Sequence, residues 1–342
     1  DRAKTKLALL MEGNHALRNE SVISVNFGQR VSETCVNECE ILYNEADGRS
    51  STQRHQAEVA LRKGAAVLII DPVAPAHAAP IVEEARKQGV PVIDYGHPIA
   101  DAEPDVVVAF DAVRVGELQA ASLARALARK GKAGGPIVML VGEPGDRSKD
   151  VVGGARRGFE TAGIDVAKHY SVPSSDARHA QKKMEDAIAA LGKDGFAGVY
   201  AETDAIAGGA IAAMEATGID PAARPTSGRG SSLAGVQRIL AGQQQMTVYE
   251  PVESYAAVSA QVAVELAEGR GIPTGRVPAE NETDTVALPT SGAGVPTFLI
   301  ESVTVDRTTV EQTVLGDDLF SQAEVCVGAY KRVCKEAKIP WH

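Results

Sequence analysis

The stretch that says most about the fold is residues 240–251, which read LAGQQQMTVYEP. Gly242 suits the left-handed residue that ends a helix, because glycine adopts a positive φ at little steric cost. The apolar residues that follow predict a short strand, and Pro251 suits the start of a new helix. The stretch therefore predicts helix, strand and helix in immediate succession, which is the repeating unit of an α/β fold.

The same alternation extends outward along the chain. In the first half, strands are predicted at 6–11, 40–43, 67–70 and 90–95, and helices at 21–33, 50–63 and 76–88. Residues 67–70 are apolar and β-branched, which is typical of a strand covered on both faces. Residues 111–241 repeat the alternation with a second set of strands and helices. The pattern predicts two doubly wound, parallel α/β lobes.

Composition limits the classes of partner. A chain of 342 residues exceeds one ordinary domain and suits two lobes of about 150 residues each. The formal net charge of −10 argues against nucleic acid and anionic membranes as partners. The sequence contains no run of about 20 apolar residues, so no membrane span is predicted. The first residue is Asp1, without a charged and apolar leader, which predicts a trimmed export product whose signal or lipid-anchor cysteine would lie upstream.

The four cysteines form two closely spaced pairs, Cys35 with Cys39 and Cys326 with Cys334. Two local disulfides are the first interpretation, and free thiols and a zinc site are the alternatives. Zinc sites with four cysteines usually use two-residue spacings, and the seven histidines lie away from both pairs. The pairs thus favour an oxidising compartment.

Motifs for catalysis are absent from the sequence. The segment 142–148 follows a predicted strand and opens a helix, but it lacks the length and the lysine of a phosphate-binding loop. No GxGxxG follows the first strand, and no GxSxG is present. No cluster of histidine and acidic residues indicates a metal. These observations predict a binding protein, not an enzyme, with no cofactor and no metal.

Three segments carry a family resemblance: 110–120 (FDAVRVGELQA), 204–211 (DAIAGGAI) and 240–251. In this order they resemble the xylose-binding proteins of bacterial ABC importers, within the ribose-type periplasmic sugar-binding family. The resemblance extends from Lys6 to about Lys338. It implies the fold of a type I periplasmic binding protein, in which two doubly wound lobes are joined by a hinge of three crossovers, here near Phe110, Tyr249 and 296–300.

The resemblance also implies a division of the chain and a function. Residues 1–110 and 250–296 would form the N-terminal lobe, and residues 111–249 and 297–342 the C-terminal lobe. The chain would be a monomeric, periplasmic or extracellular solute-binding protein, with or without a lipid anchor. It would bind a sugar, sugar derivative or polyol in the cleft between the lobes, close on it, and deliver it to the permease of an ABC importer.

Alternative functions remain open at this point. A receptor subunit that presents its ligand to a membrane sensor would share the architecture, and an α/β enzyme such as a dehydrogenase is the opposing class. A lactose-repressor-like regulator is disfavoured, because no helix-turn-helix segment precedes Lys6 and paired cysteines are unusual in the cytoplasm.

The resemblance locates the pocket at the loops after the strands, where this chain departs from the family. A lysine and an arginine of the family correspond to Asn14 and Arg18, and an Asp-Arg pair corresponds to Gly96 and His97. A stacking tryptophan corresponds to Ser175, an Asp-Asn-Asn turn to 146–148, and an Asn-Asp pair to Thr203 and Asp204. A Gly-Gln-Asp loop is 228–230 here, and the Tyr-Lys-Pro of the hinge is 249–251. The candidate ligand contacts are Asn14, Arg18, Asp71, Tyr95, His97, Arg147, Thr203, Asp204, Arg229 and Glu250.

These exchanges predict a changed specificity. Tyr95, Phe27 and Tyr255 are candidates to replace the tryptophan platform, and Gly96, Gly230 and Ser175 leave volume. Arginines in a desolvated cleft favour carboxylates and phosphates. We therefore expect weak binding of D-xylose and a preferred ligand that is larger, anionic or otherwise distinct in its polar groups. Two of these candidates have an alternative role: Asp71 could be a turn residue, and Asp204 could be the N-cap of a helix.

Overall fold

The computed structural model describes residues 4–13, 17–96, 99, 101–143, 145–273, 277, 289–290 and 294–337. For residues 17–21, 146–147 and 289–290 the description covers the backbone only. The chain divides into two compact units. The first unit consists of Asp1–Phe110 and Pro251–Glu301, and the second of Asp111–Glu250 and Ser302–His342.

The regular elements alternate along the chain. Up to residue 110 they are β1 (Thr5–Met11), α1 (Leu17–Thr34), β2 (Cys39–Glu45), α2 (Ser50–Arg62), β3 (Ala65–Ile70), α3 (Pro75–Lys87), β4 (Val92–Tyr95) and β5 (Val106–Phe110). From 111 to 250 they are α4 (Ala112–Arg129), β6 (Ile137–Val141), α5 (Asp146–Thr161), β7 (Val166–Ser171), α6 (Ala177–Leu191), β8 (Gly198–Ala201), α7 (Asp204–Ala216), α8 (Leu233–Leu240) and β9 (Thr247–Tyr249). After 250 they are α9 (Val252–Ala267), β10 (Pro289–Thr290), β11 (Thr297–Ile300), β12 (Val303–Val305), α10 (Gln322–Val325) and α11 (Tyr330–Glu336).

The first unit is built on a seven-stranded sheet in the order β10-β11-β5-β4-β3-β1-β2. All neighbours pair in parallel except β10 and β11. Successive residues of β1 point to opposite faces: Leu7 and Leu9 join the core that includes residues of α1 and α9, and Ala8 and Leu10 join the core that includes residues of α2 and α3. Both faces of the sheet are therefore buried, and the carboxyl ends of its parallel strands share one edge.

The second unit contains a parallel sheet in the order β7-β6-β8 and an antiparallel pair of β9 with β12. Residues of α4 and α5 pack with one face of β6, and residues of α6 and α7 pack with the other. A third core joins α8 to the C-terminal segment. The prediction of parallel doubly wound sheets in two lobes is confirmed.

Helices α4 and α5 approach each other closely at glycines. A Cβ on Gly116 would collide with the carbonyl oxygen of Val151 and lie 2.6 Å from the backbone nitrogen of Ala155. A Cβ on Gly154 would likewise collide with the carbonyl of Val113. The same holds for Gly209 of α7, where a Cβ would collide with the carbonyl of Ala177, the first residue of α6. Two of these glycines lie in the motifs quoted above, whose small residues thus serve helix packing.

The end of the first unit differs from the prediction. Residues 297–342 were assigned to the C-terminal lobe with a crossover at 296–300, but Thr297–Ile300 forms β11 and pairs with β5 of the first sheet. Phe298 and Ile300 explain this, because they alternate into the buried core of that sheet. Strand β12 and helices α10 and α11 were not predicted, and they are only three to seven residues long.

Both disulfides are present as predicted, one between Cys35 and Cys39 and one between Cys326 and Cys334. The first joins the end of α1 to the start of β2, and its loop is held by Glu268, whose Oε1 accepts from the backbone nitrogens of Val36 at 2.9 Å and Asn37 at 3.3 Å. Across the described ranges, every helix falls short of the length and apolarity that a membrane span requires.

Candidate functional site

The carboxyl edge of the sheet in the second unit carries a buried carboxylate. Glu202 follows β8 directly and is 3% exposed. Its Oε2 accepts from the backbone nitrogen of Gly142 at 2.8 Å and from the hydroxyl of Ser148 at 3.0 Å. These bonds fix the carboxylate at the point where β6 and β8 end. Glu202 was not among the predicted contacts, although an acidic residue directly after an apolar strand is a signal that could have identified it.

Gly142 has to be a glycine for this arrangement. A Cβ at this position would collide with the hydroxyl of Ser175 and lie 3.4 Å from Oε2 of Glu202. Ser175 itself has a positive φ of 48°. Ser175 therefore lies beside the Glu202 carboxylate, and its small side chain permits the close approach of the two loops.

Arg229 lies between two carboxylates. Its guanidinium nitrogens are 3.7 Å from Oε1 of Glu202 and 3.9 Å from Oε2 of Glu250. The Arg229 and Glu250 side chains are 18% and 19% exposed. The Nε of Arg229 is buried and has no hydrogen-bond partner within the part of the chain that the structure describes. We call Glu202, Arg229 and Glu250 the acid–arginine cluster.

The ion pairs of the cluster are longer than hydrogen bonds. Charge-assisted N–H···O bonds measure about 2.7–2.9 Å, and the pairs of Arg229 exceed this by roughly 1 Å. The guanidinium therefore keeps directed N–H groups to donate. Among the described residues, the donors to Glu202 reach Oε2, so Oε1 keeps capacity to accept.

Gln119 of α4 holds the loops that carry the cluster. This side chain is fully buried, and its Nε2 donates to the carbonyls of Ala201 at 3.2 Å, Glu202 at 3.2 Å and Gly228 at 3.0 Å. Its Oε1 accepts from the hydroxyl of Tyr200 at 3.1 Å. Burial and the nearby Glu202 raise the pKa of Tyr200, which keeps this hydroxyl a donor. One amide thus positions the residues before Arg229 and around Glu202.

Thr203, a predicted ligand contact, caps a helix. Thr203 is the N-cap of α7, and its hydroxyl accepts from the backbone nitrogen of Ile206 at 3.3 Å. The roles predicted for Asp204 were ligand contact and N-cap, but it is the first helical residue and only 2% exposed. The prediction is wrong by one residue, because the hydroxyl of Thr203 already reaches the free N–H group.

The Asp204 carboxylate is used inside the second unit. Its Oδ2 accepts from the backbone nitrogen of Ser232 at 2.7 Å, and its Oδ1 from Nε2 of Gln244 at 2.7 Å. Burial raises the pKa of Asp204, and its hydrogen bonds oppose the shift. This carboxylate ties the start of α7 to the start of α8, which is the contact pattern of a structural residue.

In the first unit, two predicted residues lie at the ends of neighbouring strands. Asp71 follows β3 directly and is 2% exposed, and Tyr95 ends β4 and is also 2% exposed. Burial, with Asp71 as the next cause, raises the pKa of Tyr95 well above its ordinary value. The Tyr95 hydroxyl is buried without a hydrogen-bond partner among the described residues. It lies close enough to Asp71 for the two groups to interact electrostatically.

The aromatic platform expected in this unit is part of the core. The Tyr95 ring stacks on the Tyr255 ring with centroids 3.9 Å apart, and the Phe110 and Tyr255 ring centroids are 4.9 Å apart. Phe27 is fully buried among core residues of the sheet. Gly96 leaves no free volume, because a Cβ there would lie 2.8 Å from the Tyr255 hydroxyl. The interpretation of Gly96 as added space is therefore wrong, and no ring of Phe27, Tyr95 or Tyr255 is exposed as a platform.

The structure describes no side chain for four of the predicted contacts. Asn14 and His97 lie outside the described residues. Arg18 lies in α1 and Arg147 in α5, and for both the description covers the backbone alone.

Among the other predicted contacts, the structure brings Arg229 and Glu250 together and adds Glu202 to them. It places Asp71 and Tyr95 at the ends of two adjacent strands. Metal-binding groups of three or more acidic, histidine or cysteine side chains are not found in the described ranges.

Comparison with known proteins gives the family. Residues 26–271 match the model of the periplasmic binding protein domain. The D-xylose-binding periplasmic proteins of Escherichia coli (strain K12) and Haemophilus influenzae are each 31% identical to this chain over the matched part. That part spans 83% of this chain in both cases, and 83% and 82% of the two relatives. The crystal structure of a periplasmic ribose ABC transporter protein from Conexibacter woesei superimposes with a TM-score of 0.77 at 17% identity over 97% of both chains.

These matches confirm the resemblance to xylose-binding proteins and the prediction of a type I periplasmic binding protein fold. The family consists of solute-binding proteins, so the prediction of a binding protein, not an enzyme, is also confirmed. The motifs that indicated the family build the scaffold, as Gly116 and Gly209 show at their helix contacts. This chain belongs to the periplasmic binding protein family.

Proposed function

We propose that the protein is the extracytoplasmic solute receptor of an ABC importer, and that its ligand is a sugar, a sugar derivative or a polyol. The observation that carries the proposal is the acid–arginine cluster at the carboxyl edge of the second unit. Relatives named for D-xylose binding support the ligand class. The two disulfides support a location outside the cytoplasm.

The chemistry of the cluster suits hydroxyl groups. A hydroxyl donates one hydrogen bond and accepts others. Arg229 has N–H groups to donate, and Oε1 of Glu202 can accept. Two neighbouring hydroxyls on a sugar ring can accept from the guanidinium and donate to the carboxylate at the same time. Hydrogen bonds to charged groups are worth about 1.5–3 kcal/mol each, so a few of them suffice for micromolar affinity.

We propose that the first unit contributes through Asp71 and the Tyr95 hydroxyl. A buried hydroxyl without a partner costs about 1–3 kcal/mol, and a ligand that supplies an acceptor removes this cost. The ligand would stabilise a closed state of the receptor, because a ligand shifts an equilibrium only through contacts that one state makes better. The receptor is proposed to act as a monomer that presents this closed state to the permease.

A ligand screen tests the proposal directly. Thermal unfolding with a panel of pentoses, hexoses and polyols should identify stabilising ligands, and calorimetry should then give their affinities. For the tightest ligand, R229M and E202Q should each weaken binding by at least tenfold. The matched control is R125M, because Arg125 is an exposed arginine on α4 away from the cluster. Unchanged affinity in both cluster variants would rule out this site.

A further inference from the structure

Gln53 lies in the first turn of α2, and its side chain is 2% exposed. Its Nε2 donates to the carbonyl of Asp71 at 2.6 Å and to the carbonyl of Leu10 at 3.3 Å. Its Oε1 accepts from the backbone nitrogen of Val73 at 3.1 Å. Both amide hydrogens and the amide oxygen are therefore engaged by the main chain, and this side chain is not itself a ligand contact.

The segment that Gln53 holds is the point where the chain leaves the sheet. The pairing of β3 with β1 and with β4 ends at Ile70, and Pro72 has no N–H group. The Asp71 carbonyl and the Val73 nitrogen lie two residues apart, which is the spacing that a peptide group of a neighbouring parallel strand engages. The Gln53 amide takes the place of that peptide group and keeps the segment hydrogen-bonded beyond the end of the strand.

These bonds fix the main chain on both sides of the Asp71 side chain. The N–H group of Asp71 donates to the carbonyl of Leu10 at 3.0 Å, and the Asp71 carbonyl accepts from Gln53. With the main chain fixed, the carboxylate is placed by its own rotamer. Burial, and after it the Asp71 charge, raises the pKa of Tyr95, so the carboxylate lies near that hydroxyl. The location of a proposed ligand contact thus depends on a side chain behind it.

The second unit contains the same device. Gln119 of α4 is fully buried, and its Nε2 donates to the carbonyls of Ala201, Glu202 and Gly228. In each unit, one buried helix amide bonds the main chain where strands end. Removing such an amide leaves buried main-chain groups without partners, which is costly, so the main chain has to move to find new ones.

We propose that Gln53 is a positioning residue for ligand binding, which acts through Asp71 and determines how well the first unit holds its ligand. The inference rests on the proposed function, because it assigns a role to a residue behind the same site. Contact groups have to lie within about 0.5 Å of their productive geometry, and the residues that hold them supply this precision. Gln53 therefore contributes to affinity without touching the ligand.

Gln53→Met is the main variant, because methionine keeps the length of the side chain and makes none of the three hydrogen bonds. Q56M is the matched control. Gln56 lies on the same helix, and its Nε2 donates to the carbonyl of Glu45 in β2 at 2.7 Å, so the control also loses a main-chain bond. The probe is whichever of D-xylose, D-ribose, D-glucose and myo-inositol the wild type binds most tightly in calorimetry. We expect Q53M to weaken binding of this probe by about tenfold and Q56M by less than about twofold.

Asp71→Ala separates positioning from a general loss of folding. D71A should itself weaken binding of the probe by at least about tenfold. In the D71A background, Q53M should weaken binding by less than about twofold, because the contact that Gln53 positions is already gone. Urea unfolding of the four proteins measures the stability cost of Q53M, which should be similar in both backgrounds. A purely structural role would instead lower affinity by the same factor with and without the Asp71 carboxylate.

Gln53→Glu tests the hydrogen bonds without any change at Asp71. A protonated glutamic acid offers one O–H donor and one acceptor, which suit the Asp71 carbonyl and the Val73 nitrogen, and burial favours the protonated form. At pH 5, Q53E should bind the probe at least about threefold more tightly than Q53M. If Q53M does not fold, the ratio of Q53E to wild type at pH 5 decides, and a loss beyond about tenfold counts against the inference.

The outcomes separate the inference from the proposed function. Wild-type affinity in Q53M, an equal loss in Q56M, an equal Q53M factor in the D71A background, or no gain in Q53E overturns the positioning role and leaves the receptor function standing. Wild-type affinity in D71A removes Asp71 as a contact, and the inference fails alone. If the folded wild type binds none of the four probes, the proposed function fails, and the inference fails with it.

Discussion

Replacing Gly116 by alanine tests the close contact between α4 and α5. The new methyl group would collide with the carbonyl oxygen of Val151 and lie 2.6 Å from the nitrogen of Ala155. Non-bonded heavy atoms prefer a separation of about 3.5 Å, so the helices have to move apart by at least about 1 Å. Both obstacles are backbone atoms, and no flexible side chain can yield. The buried contacts of Ala120 and Phe159 are then loosened as well.

The magnitude follows from three contributions. Overpacking against a rigid neighbour costs about 1–3 kcal/mol or more. A gap of 0.5–1 Å also forfeits about a quarter to a half of the dispersion attraction across the interface. Alanine returns about 1 kcal/mol, because it is a better helix former than glycine. We expect G116A to lower the free energy of unfolding by about 2–3 kcal/mol.

Gly153 provides the matched control in the same pair of helices. A Cβ there meets only the flexible end of Arg157, at 3.6 Å, so G153A should raise the free energy of unfolding by about 0.5–1 kcal/mol. Urea unfolding followed by circular dichroism measures both variants, and hydrogen exchange over 112–161 locates the effect. If G116A is as stable as G153A, the helices do not approach as closely as described.

Further variants and treatments test other contacts. Asp204→Ala should lower the free energy of unfolding by about 2–4 kcal/mol, because it removes the acceptor of two strong hydrogen bonds. Burial raises the pKa of Asp204 above its unfolded value near 3.9, so stability should fall as pH rises from that value to the folded pKa, and D204N should abolish this slope in pH-dependent urea unfolding. Gln119→Leu should weaken ligand binding and destabilise the second unit by about 3 kcal/mol, whereas retained affinity in calorimetry would exclude a positioning role. Tyr95→Phe should leave the free protein as stable or about 1 kcal/mol more stable, since it removes an unpartnered hydroxyl, and a marked loss in thermal unfolding would reveal a missed partner. Reduction should cost only about 2–2.5 kcal/mol per bridge because the loops are short, and non-reducing peptide mapping should recover only the two local pairs.

The sequence determined the scaffold because its signals are local. The apolar run at 67–70, the glycines that end helices and the periodicity of the helices each depend on neighbours in the chain. The cysteine pairs are separated by so few residues that the spacing favoured local bridges. The sequence assigned residues 297–300 to the C-terminal lobe, whereas they pair with β5 of the first sheet. A four-residue strand contains too little pattern to show which sheet it joins.

The candidate site depended on contacts between distant segments, and only the tertiary structure supplied those. Arg229 and Glu250 were predicted contacts, yet their pairing and the part of Glu202 arise where the loop after β8, the loop before α8 and the end of β9 meet. The space at Gly96 is filled by Tyr255, which lies 159 residues later in the chain. The sequence alone thus determined which polar residues follow the strands, whereas folding decided which of them face each other. Which charged groups face one another is a property of that arrangement, because electrostatic energy depends on distance and burial more than on composition.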